Sequence, residues 1–163
     1  VWSYPVDGYR FAFAPATSEK ANETTSRETV IMNMINTFLG RMHLASHIDL
    51  LCEDKRELIK EGVEYYDSLT PAKKIALPFL PCGFACFGDE RVAAGLKTES
   101  KAYLSVYNLG KSGAFSVNVG KEYKKAVCVY PKSNTLGFSL ENGVLTVNFT
   151  EDYQARFFEL ETR

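Results

Sequence analysis

The chain has 163 residues, a formal net charge of −1 and two histidines. Near-neutral charge leaves no basic footprint for nucleic acid or an anionic membrane surface, and no apolar run approaches the ~20 residues that span a bilayer. Hydrophobic residues at 45% and charged residues at 24% are globular proportions, while 13% aromatic content supplies a core or a sugar-stacking surface.

The chain begins "VWSYPVDGYRFAF", a strand-like run without an initiating methionine, and is expected to continue a longer protein. A strand is expected over Trp2–Pro5, followed by a long loop over Val6–Thr24 that carries Tyr9, Phe11 and Phe13. In "SRETVIMNMINTFLGRM", Val30, Ile31, Met34, Ile35, Phe38, Leu39 and Met42 mark one face of an α-helix. Thr25 with Glu28 three positions on reads as a capping box, and Gly40 supplies a stop. A short strand is expected around Met42–His47. A second helix, "EDKRELIKEGVEYYDSL", follows with acidic residues in its first turn and Thr70-Pro71 as its end. Strand, helix, strand, helix is the grammar of a parallel α/β fold. Two strands and two helices cannot close a barrel or cover both faces of a parallel sheet, so this part reads as incomplete.

From about Ile75 the period changes. "ALPFLPCGF" carries two prolines and reads as a linker packed between layers. "RVAAGLKT", "KAYLSVYNLG", "GAFSVNVG", "KKAVCVYPK", "LGFSLENG", "VLTVNFT" and "ARFFELET" then follow as short β-type segments. Lys111-Ser112-Gly113 and Asn142-Gly143 mark expected hairpins, and the spacing is that of an antiparallel sandwich. The fold class is therefore α/β followed by all-β, with 1–73 as the α/β part and 74–163 as a β-sandwich. The four cysteines, Cys52, Cys82, Cys86 and Cys128, fit no zinc or thioredoxin spacing and are expected to be buried thiols. Asn22 and Asn148 head sequons that matter only in a secreted chain.

Several stretches occur in a telling order: "VWSYP", "ETVIMNMINTFLGRMHLASHIDLL", "LIKEGVEYYDSL" and "ALPFLPCGFACFGDERVAAGLKT…AYLSVY". In this order the chain, from Val1 to about Tyr130, resembles the C-terminal region of bacterial α-galactosidases of glycoside hydrolase family 36. The resemblance implies that Trp2–Pro5 and Arg41–Ser46 are the last two strands of a catalytic (β/α)8 barrel and that 53–69 is its last helix. The C-terminal antiparallel β-sandwich would then start after Lys74. It implies a retaining mechanism with two carboxylates about 5 Å apart, both on Asp residues upstream of Val1. This chain is accordingly expected to hold no catalytic residue and to be inactive alone. The implied partner is an α-galactoside oligosaccharide, with no cofactor, no metal, no nucleic acid and no membrane. A cytoplasmic location is expected, with room for a homo-oligomer of the full-length enzyme.

Barrel sites are built at the C-terminal ends of strands and in the loops that follow. Trp2, Ser3, Tyr9, Ser46 and His47 are therefore the candidate substrate-binding residues, with His43 behind them. The alternative for the loop aromatics is packing against a barrel or a neighbouring subunit, and for His47 a structural hydrogen bond. Asp89-Glu90 and Glu151-Asp152 read as exposed turns. A different class of function, a non-catalytic carbohydrate-binding or interaction module, would use Tyr103, Tyr107, Tyr123 and Tyr153 on the sandwich.

Overall fold

A computed structural model describes residues 26–42, 48 and 51–163. The expected strands at Trp2–Pro5 and Met42–His47 and the loop between residues 6 and 24 lie outside this range, apart from Met42, which is in neither helix nor strand.

Helix α1 spans Arg27–Phe38. Its N-cap is Ser26, in extended conformation, whose side chain accepts from the Thr29 N–H at 3.0 Å. The N-cap is thus Ser26 and not Thr25, and the Glu28 carboxylate is held by Arg156. The helix ends where expected, with the Gly40 N–H turning back to the Thr37 carbonyl. Helix α2 spans Glu53–Lys73, so Thr70-Pro71 does not end it. The Thr70 hydroxyl donates to the Tyr66 carbonyl at 3.0 Å, and Pro71 sits in the last turn. Lys73, folded over the Tyr66 ring at 3.6 Å, donates to the Phe38 and Gly40 carbonyls and so caps α1.

Eight strands follow: β1 Leu77–Phe79, β2 Arg91–Lys97, β3 Lys101–Asn108, β4 Gly113–Asn118, β5 Lys125–Tyr130, β6 Phe138–Glu141, β7 Val144–Phe149 and β8 Gln154–Glu161. One sheet has the order β1-β2-β3-β8-β5 and the other β4-β7-β6, and every pairing is antiparallel. The seven expected β segments are all strands, and the two sheets form a sandwich. No described strand belongs to a parallel sheet.

Two turn assignments part company. Asn142 (φ 52°) and Gly143 (φ 82°) form the two-residue hairpin joining β6 to β7. A Cβ at Gly143 would stand 2.6 Å from the Gly120 carbonyl carbon, so close backbone packing adds a second reason for glycine. Lys111-Ser112-Gly113 is instead a corner, because β3 and β4 lie in different sheets. Arg91 holds that corner through the Lys111 and Gly113 carbonyls, and the Ser112 N–H is taken by Asp152. "ALPFLPCGF" is no buried linker either. It forms the edge strand β1 and an exposed loop, with Leu77 65% exposed. Proline is tolerated at Pro78 because an edge strand leaves one row of backbone groups unpaired.

The five-stranded sheet is buried on both faces. Leu104, Val106, Phe158 and Leu160 meet Val117, Leu145, Val147 and Phe149 of the small sheet. Phe157, Ala155 and Tyr130 face the other way, into a core shared with Ile31, Met34, Ile35 and Phe38 of α1 and Leu58 and Ile59 of α2. Phe38 stacks edge-on with Tyr130 at 5.0 Å and with Phe157 at 5.1 Å. The described residues thus form three layers: helices, large sheet, small sheet. Residues on either side of position 74 share one of its cores.

Candidate functional site

A groove of about 360 Å³ runs along the polar face of α2. Arg27, Asp54, Glu57, Glu61, Lys132 and Ser133 line it, drawn from both helix N-terminal halves and from the loop after β5. Each is set by local structure. Asp54 and Glu57 lie in the first turns of α2, Glu61 one turn on, and Arg27 opens α1. Arg27 donates to the Ser133 hydroxyl at 2.6 Å and approaches Asp54 at 3.9 Å. Glu61 accepts from the Lys132 N–H at 2.6 Å, which pins the loop to the helix.

A hydrogen bond from the Cys52 thiol at 2.8 Å, with help from the Lys55 N–H and the Arg27 charge, holds the Asp54 carboxyl below its usual range. An acid held ionised is the reverse of what a general acid at neutral pH requires. The groove is open and mixed in charge, suited to a polar ligand and not to acid–base chemistry. Beneath it, Arg156, 2% exposed, makes a two-pronged pair with Glu28 at 2.7 and 2.8 Å and donates to Asn134 at 2.8 Å. A second charged cluster lies near the end of the large sheet. Lys101 bridges Glu159 at 3.1 Å and Glu161 at 2.9 Å, and the Tyr65 hydroxyl donates to Glu159 at 2.9 Å. The Arg156 and Lys101 networks explain structure and place no nucleophile against a base.

The candidate residues Trp2, Ser3, Tyr9, Ser46 and His47, and His43 with them, lie outside the described residues. The acidic pairs are engaged in turns: Asp89 accepts from the Cys86 N–H at 2.7 Å, and Asp152 from the Ser112 N–H at 3.0 Å. Of the four sandwich tyrosines, Tyr123 is in the inter-sheet core and Tyr103 and Tyr107 pack under the helices. Tyr153 alone is exposed.

Three cysteines, Cys52, Cys82 and Cys86, are exposed instead of buried, and Cys128 is half-buried. Exposure follows from position: Cys52 caps a helix and the other two sit on the loop after β1. Asn148 of the second sequon is exposed on β7; Asn22 is outside the described residues. No cluster of three His, Cys, Asp or Glu side chains fit to hold a metal occurs among the described residues. No described helix is long and apolar enough to cross a membrane.

The groove escaped sequence reasoning because its walls lie some seventy positions apart along the chain. Among the described residues up to 70, no large hydrophobic side chain is exposed; the exposed ones begin at Ile75 and Leu77 and continue with Phe84 and Phe87. By sequence this apolar, proline-broken run reads as a linker packed between layers, because composition does not say what covers a segment.

No family model matches the chain, and no curated protein matches it. Among solved structures, Amy13B of Eubacterium rectale aligns with a TM-score of 0.42 and 8% sequence identity, over 88% of this chain and 35% of that one. This chain thus spans about a third of that structure's length. A likeness at that score carries no inference about fold or function.

Proposed function

We propose that this chain is the C-terminal part of a glycoside hydrolase that removes terminal α-galactosyl groups. The proposed mechanism is retaining, with two carboxylates, both on Asp residues upstream of Val1. The ordered resemblance of its segments to family 36 α-galactosidases carries the reading. The packing of α1 and α2 across the outer face of the large sheet supports it, because a barrel's last helices would meet a C-terminal sandwich in that way. The sandwich then braces the barrel, while residues 1–73 supply its last strands and helices. Trp2, Ser3, Tyr9, Ser46 and His47 would line the sugar site, with the catalytic acids supplied from elsewhere. The protein works without cofactor, on α-galactoside oligosaccharides, in the cytoplasm.

The test is hydrolysis of p-nitrophenyl α-galactoside by this chain and by the same chain extended with its upstream coding sequence. Turnover by the extended protein alone supports the reading. Turnover by neither removes the α-galactosidase assignment. An interaction module is the second reading, and the exposed apolar loop at Phe84 and Phe87 is the observation that favours it. The sugar-binding form of that reading is weakened, since three of its four tyrosines are packed inside.

A further inference from the structure

The loop between β1 and β2 holds chemistry that neither the groove nor the fold uses. Residues 82–90 are exposed without a break, and Cys82 and Cys86 stand among them, separated only by Gly83, Phe84 and Ala85. Two turns bracket the pair. The Gly83 N–H donates to the Leu80 carbonyl at 3.0 Å, and the Asp89 N–H to the Cys86 carbonyl at 3.2 Å. Between them Phe84 and Ala85 enter no backbone hydrogen bond among the described residues, and the chain bends at Phe84. Gly83 has φ +77° and nothing within 4 Å of where a Cβ would stand, so the loop has both the backbone freedom and the space to tighten.

We infer that Cys82 and Cys86 are a reversible redox pair, closed to an intraloop disulfide by a peroxide and reopened by a thiol. A disulfide needs Cα atoms roughly 4.4–6.8 Å apart, which a five-residue segment reaches by folding back at its bend. The short spacer gives each sulfur a high local concentration of the other. The remaining thiols are committed elsewhere. Cys52 donates to Asp54 at 2.8 Å, and Cys128 is pushed up to about 12 by burial.

The Cys86 thiolate attacks a peroxide oxygen: an S–O bond forms, the O–O bond breaks and hydroxide leaves. The Cys82 thiolate then attacks the Cys86 sulfur: the S–S bond forms, the S–O bond breaks and a second hydroxide leaves. The two hydroxides take up the two thiol protons as water, and two electrons pass from sulfur to peroxide. The closed ring fixes the tip that presents Phe84.

The full 163-residue chain is treated with hydrogen peroxide, alkylated, cut with trypsin and weighed. The peptide 75–91, bounded by Lys74 and Arg91, is expected to lose about 2 Da and to escape alkylation. Dithiothreitol should restore two alkylated sites. Cys82→Ser or Cys86→Ser should each abolish the loss, and Cys52→Ser should leave it. Two alkylated thiols after peroxide, sulfinic acid on either cysteine, or a bridge to Cys52 or to a second chain would each overturn the inference.

Discussion

Arg156 and Glu28 show how one pair can join distant parts of the chain. The guanidinium is 2% exposed on β8, and the carboxylate that meets it comes from the first turn of α1. Removing one partner strands a buried charge, which costs more than the pair itself is worth. Glu28→Ala is therefore expected to lower stability by about 2–3 kcal/mol, read from the urea midpoint, since Asn134 still accepts one bond. Cys128 makes a different prediction. Burial pushes its thiol up to about 12, so the unfolded chain sheds that proton first, from about pH 8.5. The stability it contributes is whole below that pH and drains as pH rises toward the folded value. Buried Tyr65 and Tyr130, also raised chiefly by desolvation, extend the loss above about pH 10. Urea midpoints measured from pH 7 to 11 should fall in these two stages, and Cys128→Val should erase the first. A flat profile to pH 10 in the wild type would contradict the burial.

Helix α2 succeeds as an element because its inward face is small where α1 crosses it. A Cβ on Gly62 would stand 2.7 Å from the Met34 methyl and 3.4 Å from the Tyr130 ring. Alanine gains helix propensity of about 1 kcal/mol and displaces only the flexible end of Met34. Valine brings two further methyls against the Tyr130 ring. Gly62→Val should thus destabilise by about 1–3 kcal/mol through overpacking, whereas Gly62→Ala should be close to neutral. Thermal unfolding of both variants checks the contrast, and equal losses would mean that helix crossing is not the constraint.

Three layers with a doubly buried middle sheet make the described residues one cooperative unit. Neighbours on β8 serve opposite cores: Phe157 packs under the helices and Phe158 between the sheets. Truncating a buried phenylalanine costs about 3–5 kcal/mol. Phe157→Ala and Phe158→Ala should each lower a single transition, seen alike by far-ultraviolet circular dichroism and tyrosine fluorescence. Two separated transitions in Phe157→Ala would show the helices melting off an intact sandwich. A chain cut back to 74–163 would bare Phe157, Tyr130 and Ala155 together, an apolar face that a soluble monomer seldom carries.

Local chemistry wrote the elements into the chain. The apolar spacing from Val30 to Phe38, the alternation in the seven β segments and Asn142-Gly143 each act through near neighbours, so helix, strand and hairpin were legible there. The candidate sugar-site residues were legible only through family resemblance, and they lie outside the described residues. What depends on residues far apart in sequence was hidden. Glu28 reads as half of a capping box, and nothing local announces that Arg156, 128 positions away, holds its carboxylate. Lys111-Ser112-Gly113 reads as a hairpin until β3 and β4 part into different sheets. A run such as "ARFFELE" announces burial on both sides, but not what covers each side. Tertiary packing alone decided that helices cover one face and a second sheet the other, because burial is set by whichever surfaces meet and not by the strand that they cover.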